Sequence, residues 1–307
     1  MRVTLLGATG FVGSAVLREL AGTGVRVRAV ARRTPPRAGA GSGDVEWVRA
    51  DLADPASLHG LCDDSGVLLH FASHVGPDEE QCRAVNVHGT RAAVAEARRA
   101  GTRRIVLLST AAVYGAGPHR GIRTGEVTPE PVSAVSRSRL AAEEPVLAAG
   151  GVVLRPGLIL GAGDRWVVPA LQDALLRVPA RWDAGRALLS LVHVADLARL
   201  TAGLATAPGA GVGPGGYHAS HPDPVRLDDL IAALARCGAV ERPEPAWSLA
   251  RCLDALRDTP GWVSERQFRL FAEDHWYRSD TVWSAAGVDP GPGPLARLLR
   301  DDRPVGD

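Results

Sequence analysis

Short apolar runs rich in valine and leucine alternate with helix-like stretches through the first half of the chain. The runs have the length of buried strands, and turn residues or helix starts follow each of them. Six strands are predicted, at Arg2–Leu6, Arg26–Ala31, Val45–Arg49, Val67–Phe71, Arg104–Ser109 and Val152–Arg155. Four helices are predicted between them, at Phe11–Ala21, Pro55–Cys62, Glu79–Arg99 and Val135–Ala149. This order predicts an α/β fold with a doubly wound parallel sheet.

The alternation ends near Pro156, and the rest of the chain mixes helices with proline and glycine turns. We therefore expect residues 1–158 to form the sheet domain, with residues 188–220 returning to it. Residues 159–187 and 221–300 are expected to form a smaller C-terminal lobe that binds the substrate. Flat aromatic rings in this half suit either a core or a pocket for a planar ligand. Six of the seven tryptophans lie there, at Trp166, Trp182, Trp247, Trp262, Trp276 and Trp283.

Composition narrows the class of partner. The formal net charge of +1 provides no field for nucleic acid, and no run of eighteen apolar residues would cross a membrane. A small-molecule partner and a cytoplasmic location are expected. The four cysteines form no Cys-x-x-Cys pair, which predicts reduced thiols and no metal site. All 35 basic residues are arginine, so chemistry that needs a lysine amine is excluded.

A glycine-rich segment directly follows the first predicted strand and opens the first predicted helix. Gly7 permits a tight turn, Gly10 lets the backbone approach a pyrophosphate, and Gly13 lets the helix pack closely on the strand. The pyrophosphate of a dinucleotide would then lie at the positive end of the helix. The segment predicts a Rossmann domain whose cofactor contacts include Gly7, Thr9, Gly10, Phe11, Val12 and Gly13.

The end of the second strand indicates which dinucleotide binds. Sites that prefer NAD place an acidic residue there, whereas this chain has Arg32 and Arg33. Two guanidinium groups can pair with a 2′-phosphate, so NADP(H) is the expected cofactor. Asp51 and Leu52 follow the third strand and are expected beside the adenine, although Asp51 would serve equally as a helix cap.

Six ordered motifs resemble those of the extended short-chain dehydrogenase/reductase family, which contains sugar-nucleotide epimerases, dehydratases and ketoreductases. The resemblance spans nearly the whole chain. It implies that the cofactor binds on the Rossmann domain and the substrate on the C-terminal lobe. The protein is expected to be a monomer or a homodimer. The resemblance implies further cofactor contacts at Phe71, Ala72, Ser73, Pro156, Gly157, Leu158 and Ile159. Besides the glycine-rich segment Gly7–Gly13, the motifs are Asp51–Asp54, His70–Ala72, Asn86–Thr90, Ser109–Gly115, Leu154–Gly157 with Gly161, and Leu191–Asp196.

The chain departs from this family at its catalytic dyad. The family implies a catalytic serine or threonine at Thr110, and a tyrosine and a lysine four residues apart on the next helix. Val135 stands at the tyrosine position and Arg139 at the lysine position. Arg139 can still bind the nicotinamide ribose, but valine cannot transfer a proton. A positioned acid contributes about a hundred- to ten-thousand-fold to a rate, so other groups must cover the loss.

Thr110, Ser136, Ser138, a water molecule or a hydroxyl of the substrate could supply the missing proton. We favour an acidic phenol beside the reacting carbonyl, because serine and threonine hydroxyls are poor acids. Within the family, the resemblance is to reductases of antibiotic pathways, and it implies NADPH-dependent reduction of a carbonyl group on an aromatic polyketide similar to an angucyclinone. Two alternatives stay open: a reductase of nucleotide-linked 4-keto-sugars, with lobe arginines such as Arg165 binding the pyrophosphate, and a non-catalytic NADP-binding sensor.

Overall fold

The structure is a computed structural model that describes residues 1–33, 44–207 and 212–300. Each of the six predicted strands is present, four of them with the predicted bounds. The strands in the described part of the chain are β1 (Arg2–Leu6), β2 (Arg26–Ala31), β3 (Val45–Arg49), β4 (Ser65–His70), β5 (Arg104–Leu108), β6 (His119–Ile122), β7 (Val152–Arg155), β8 (Leu158–Leu160), β9 (Arg181–Trp182), β10 (Leu188–Leu189), β11 (Leu191–His193), β12 (Gly215–His218), β13 (Val225–Arg226), β14 (Ala246–Trp247) and β15 (His275–Tyr277).

Seven strands form one parallel sheet in the order β12-β7-β5-β4-β1-β2-β3. The chain starts at β1 and builds first to one side through β2 and β3, then to the other from β4 onward. Because the order reverses between β1 and β4, a crevice opens at the carboxyl ends of these two strands. The predicted α/β doubly wound Rossmann fold is confirmed.

Helices cover both faces of the sheet. The α-helices are α1 (Phe11–Ala21), α2 (Glu79–Gln81), α3 (Gly89–Arg99), α4 (Ala134–Ala148), α5 (Val167–Arg177), α6 (Val194–Thr206), α7 (Leu227–Arg236), α8 (Leu249–Asp258), α9 (Glu265–Ala272), α10 (Asp280–Ala286) and α11 (Pro294–Leu298). A π-helical segment, Cys82–His88, joins α2 to α3. The predicted helix Glu79–Arg99 is therefore one helical run with a widened turn in its middle.

The helix predicted at Pro55–Cys62 is wrong in length. Only a 3₁₀ turn forms, Pro55–Leu58, which Asp54 caps by accepting from the backbone N–H of Ala56. Gly60 follows with a φ of +79°, in the left-handed region where a helix ends. The fourth predicted helix begins one residue earlier than expected, at Ala134, after the capping residue Ser133.

The second half of the chain divides between the sheet and a separate core. Strand β12 extends the sheet beside β7, and α6 packs on α1. A second apolar core surrounds Trp182, whose ring centroid lies 4.4 Å from that of Phe268. No helix in the described ranges is long and apolar enough to cross a membrane.

A chain of buried side chains, here called the buried polar chain, links the middle of the sheet to its β12 edge. The Ser109 hydroxyl donates to Glu143, and Glu143 accepts a two-pronged ion pair from Arg155, with Nε at 3.1 and 3.2 Å from its two oxygens. Arg155 also donates to the Tyr114 hydroxyl at 2.8 Å, which lies 2.9 Å from Nε2 of His218. Each member is at least nine-tenths buried. The pairing satisfies charges that would otherwise be costly in the interior.

Two buried histidines on sheet strands are held in the neutral form. Burial lowers the pKa of His218 to about 4, and burial together with the charge of Arg139 lowers the pKa of His70 to about 4. Both values lie below the ordinary 6.5 of an unfolded chain, so the unfolded state binds more protons between pH 6.5 and 4. Stability is therefore complete above pH 6.5 and falls as the pH falls toward 4.

We expect the free energy of unfolding, measured with urea, to decrease from pH 7.5 to pH 5. His70 and His218 contribute to the slope together with His119, whose pKa burial also lowers. The full loss by pH 4 is up to about 3 kcal/mol for each of His70 and His218. His218→Gln should reduce the slope, whereas the variant at the exposed His59, His59→Asn, should leave it unchanged. A free energy that stays constant across this range would contradict the assignment.

Two neighbouring glutamates provide a matched test of the buried polar chain. Glu143→Ala leaves the buried Arg155 unpaired and should cost about 3 to 5 kcal/mol of stability. The side chain of Glu144 is 77% exposed and lies 3.8 Å from Arg91, so Glu144→Ala should change stability by less than about 0.5 kcal/mol. Urea unfolding of both variants measures the difference, and Glu143→Gln serves if the alanine variant does not fold. Equal effects at the two positions would refute the role of Glu143.

Candidate active site

A cavity of about 780 Å³ opens at the carboxyl ends of β1 and β4, where the sheet order reverses. It extends from the end of β2 to the start of α5, so it passes from the sheet domain to the second core. It is lined by Gly7, Thr9, Gly10, Phe11, Val12, Gly13, Arg32, Asp51, Leu52, Phe71, Ala72, Ser73, His74, Val75, Thr110, Val135, Ser136, Arg139, Pro156, Gly157, Leu158, Ile159, Asp164, Arg165 and Trp166, among others. All the cofactor contacts predicted from sequence line it except Arg33.

The glycine-rich loop permits contacts that no other residue would allow. Gly7 has a φ of +84°, and a Cβ there would lie 2.6 Å from the backbone nitrogen of Ala72. A Cβ at Gly13 would lie 2.0 Å from the carbonyl oxygen of Gly7. Helix α1 begins after Gly10 without a side-chain cap, so its first N–H groups face the cavity. This bare cradle at a helix N-terminus fits the pyrophosphate of a dinucleotide.

Arg32, Asp51 and Leu52 lie at the end of the cavity beside β2 and β3, where the sequence predicts the adenosine of the cofactor. Arg32 is exposed at the cavity wall directly after β2, and Arg33 is exposed outside the wall. Asp51 lies on the wall, where its Oδ1 accepts from the backbone N–H of Ala53 at 3.0 Å. Leu52 is buried beneath it and packs against Gly89, where a Cβ would lie 2.7 Å from that of Leu52.

Arg139 connects α4 to the loop that follows β4. Its guanidinium donates to the carbonyl oxygen of Ser109 at 3.0 Å and to the Ser73 hydroxyl at 2.6 Å. Burial lowers the pKa of Arg139 to about 10, which still leaves it charged at neutral pH. A fixed cation at this point can hold the ribose of a nicotinamide cofactor.

The predicted catalytic hydroxyls are both on the cavity wall, but they differ in how they are bound. The Thr110 oxygen accepts from the backbone N–H of Ala112 at 3.1 Å, which leaves its proton available to a ligand. The Ser136 hydroxyl belongs to the capping box of α4, with Ser133 oxygen and nitrogen atoms at 2.8 and 3.1 Å. Val135 contributes only methyl groups to the wall. The catalytic roles of Thr110 and Ser136 stay predictions.

The strand-to-turn segment after β7 reaches the cavity because two close contacts fix it. The Gly157 N–H donates to the Ser220 hydroxyl at 2.9 Å, and a Cβ at Gly157 would lie 2.3 Å from the carbonyl oxygen of Ser190. This packing brings Pro156, Leu158 and Ile159 to the same wall as Val135.

Sequence reasoning assigned no role to two residues that organise the site, His74 and Asn86. Asn86 is 2% exposed and binds both backbone groups of His74: its Oδ1 accepts from the N–H at 2.7 Å, and its Nδ2 donates to the carbonyl oxygen at 3.1 Å. Nδ2 also donates to the Ser138 hydroxyl on α4 at 2.9 Å. The family motif that begins at Asn86 was the signal that could have identified this residue. The π-helical turn itself could not be predicted, because it leaves no mark in the pattern of apolar residues.

The six tryptophans of the second half serve mainly as core and surface residues. Trp182 and Trp283 are buried in the two large cores. Of the six, Trp166 alone lines the cavity, with 55% of its surface exposed. Asp164 fixes this corner by accepting from the backbone N–H groups of Trp166, Val167 and Val168 at 2.8 to 3.0 Å. Of the tryptophans considered for a ligand pocket, Trp166 is therefore the one that contributes an aromatic ring to the cavity.

The chain matches the NAD dependent epimerase/dehydratase family over residues 3–219. It is 33% identical over 247 residues to the 4-hydroxy-2-methyl-3-oxo-4-farnesyl-3,4-dihydroquinoline-1-oxide ketoreductase of Stigmatella aurantiaca, covering 76% of this chain and 72% of the relative. It is 29% identical to a dTDP-6-deoxy-L-talose 4-dehydrogenase of Kitasatospora kifunensis, covering 92% and 96%.

A solved structure has the same fold. This short-chain dehydrogenase/reductase superfamily protein from Agrobacterium tumefaciens, with bound NAD, has a TM-score of 0.76 at 19% identity, covering 98% of this chain and 96% of the other. The matches confirm the predicted enzyme class, an oxidoreductase that uses a nicotinamide dinucleotide. The chain belongs to the NAD dependent epimerase/dehydratase family.

Proposed function

We propose that this protein is an NADPH-dependent ketoreductase that reduces a carbonyl group of a planar aromatic polyketide resembling an angucyclinone. Such a reaction would serve as a tailoring step in the biosynthesis of an antibiotic such as simocyclinone. The observation that carries the proposal is the substrate end of the cavity, where Val135 stands in place of the expected acid and apolar side chains line part of the wall. The exposed indole of Trp166 and the side chains of Val75 and Leu158 belong to this wall.

The cavity residues fit the cofactor at three places along its length. The uncapped start of α1 suits the pyrophosphate, Arg32 suits a 2′-phosphate, and Arg139 suits the nicotinamide ribose. When bound, the reduced nicotinamide supplies a hydride to the carbonyl carbon. Holding the ribose through the charge of Arg139 would keep the nicotinamide beside the part of the wall formed by Val135 and Thr110.

The new alkoxide oxygen needs a proton, and we propose that a substrate hydroxyl or a water molecule provides it. A phenol beside the carbonyl is a stronger acid than an aliphatic hydroxyl. It is also close to the new alkoxide oxygen, because both groups belong to the same molecule. The name of the Stigmatella relative describes a ketone on a fused ring system with a hydroxyl on the neighbouring carbon. That hydroxyl is on a saturated carbon that also carries the farnesyl group, so the relative supports a hydroxyl beside the ketone but not a phenol.

The start of α5 argues against a nucleotide-linked keto-sugar. A helix N-terminus is a good site for a pyrophosphate because its free N–H groups point at the ligand. At α5 three of these N–H groups are already bound by the buried carboxylate of Asp164, which would also repel an anion. Arg165 is then the side chain near the start of α5 that would attract a pyrophosphate. The talose dehydrogenase among the relatives keeps the sugar alternative as an outcome of the test below.

Cofactor preference can be tested at Arg32. Hydrogen bonds to a charged group contribute about 1.5 to 3 kcal/mol, so Arg32→Gln should weaken NADPH binding by about 10- to 100-fold and leave NADH binding within about twofold. Fluorescence titration of the reduced cofactors measures both. Arg98→Gln, at an exposed position on α3, is the matched control and should change neither. An equal loss for both cofactors would contradict 2′-phosphate recognition.

The proton source can be tested with two aryl ketones that differ by one methyl group. With NADPH, 8-hydroxy-1-tetralone should be reduced at least about 100-fold faster than 8-methoxy-1-tetralone, because only the first carries a proton beside the carbonyl. NADPH oxidation at 340 nm, with chromatography of the alcohol, follows the reaction. Equal rates would refute the phenol and leave water as the donor. Reduction of a dTDP-4-keto-6-deoxy-sugar instead would establish the sugar reductase, and failure of all substrates with NADPH still bound would establish the sensor.

A further inference from the structure

Among the described residues, six side chains that line the cavity carry an ionisable group: Arg32, Asp51, His74, Arg139, Asp164 and Arg165. Three are arginines, which keep their protons at any physiological pH. Asp51 lies at the adenine end, and both oxygens of Asp164 already accept backbone N–H bonds. Histidine is the side chain that exchanges protons near neutral pH. His74 is therefore the one group on this wall suited to give a proton and regain it.

The loop after β4 is built to present His74 in a fixed position. Asn86 holds the backbone of His74 on both sides, and Arg139 holds Ser73 directly before it. The imidazole lies over Gly76, where a Cβ would approach Nε2 to 2.6 Å. Both anchors come from elements that also position the candidate active site, because Asn86 is bonded to Ser138 and Arg139 shares α4 with Val135.

The two nitrogens of His74 have different surroundings. Nε2 is buried and has no hydrogen-bond partner among the described residues. A buried nitrogen without a partner is costly, so we expect a hydroxyl of the bound substrate or a water molecule to pair with it. The ring shares the cavity with three cationic side chains, Arg32, Arg139 and Arg165, and with two carboxylates, Asp51 and Asp164.

We propose that His74 is a catalytic residue, the protein's proton donor in place of the missing tyrosine. The inference rests on the proposed ketone reduction. The carbonyl carbon gains the hydride of NADPH, and the electron pair of the carbonyl π bond moves to oxygen. That oxygen takes a proton from the neighbouring hydroxyl or water, which regains one from the His74 imidazole. The ring is then reprotonated by solvent at the cavity mouth.

The test compares His74→Asn with wild type, using 8-hydroxy-1-tetralone and NADPH. We expect kcat to fall about 100-fold, with the dissociation constant of NADPH unchanged within about twofold. In the wild type kcat should fall as the pH rises, because a donor that has lost its proton cannot supply one. In His74→Asn this dependence should be absent. His59→Asn, an exposed histidine away from the cavity, should behave as wild type.

Two further measurements separate proton donation from a structural role. Gly76→Ala should displace the ring and reproduce the loss of kcat while the histidine is still present. The imidazole Hε1 signal of His74, assigned by its absence from His74→Asn, should shift when the ketone is added to the enzyme with NADP. If the wild type is active and His74→Asn keeps the same rate and pH profile, the role of His74 is refuted and the proposed function still stands. A wild type that binds NADPH and reduces no ketone would overturn the proposed function, and this inference with it.

Discussion

The rest of the structure depends on the close approach of two backbones at the point where the sheet order reverses. Gly7 lies against Ala72, and Gly13 lies against Gly7, at distances that leave no room for a Cβ. These contacts bring the start of α1 and the loop after β4 to the same side of the crevice. Every group assigned to the cofactor or to proton transfer is placed relative to this junction, so a side chain here would displace the whole site.

Around that junction, hydrogen bonds between buried polar groups hold the loops and strand ends of the site in position. Arg139 is fixed to the end of β5 and to Ser73, and Asn86 fixes the next residue of the same loop. Glu143, one helical turn after Arg139, anchors Ser109 and the guanidinium of Arg155. Helix α4 therefore fixes Arg139 and Glu143 close to Val135, the position where the family resemblance implies a tyrosine. The proposed function accordingly takes the proton from another group.

The first half of the fold was predictable because its signals are local. Strands such as Arg2–Leu6 are apolar runs ended by turn residues, and α1 begins after a glycine triplet whose spacing has one structural meaning. Prediction was wrong where local signals compete with one another. Pro55–Cys62 has helical composition, but Asp54 and Gly60 confine it to a single turn. The tryptophans could not be sorted into core and pocket, because burial depends on partners distant in sequence.

By itself the sequence determined the dinucleotide cradle, the arginines after β2 and the absence of a tyrosine at Val135, because each depends on residue identity at a fixed spacing along one segment. Only the tertiary structure decided which remaining groups face the ligand. It placed Trp166 at the cavity, occupied the start of α5 with Asp164, and fixed the backbone of His74 with Asn86. These positions result from contacts between segments far apart in the chain, and the hydrophobic pattern of one segment carries no information about them.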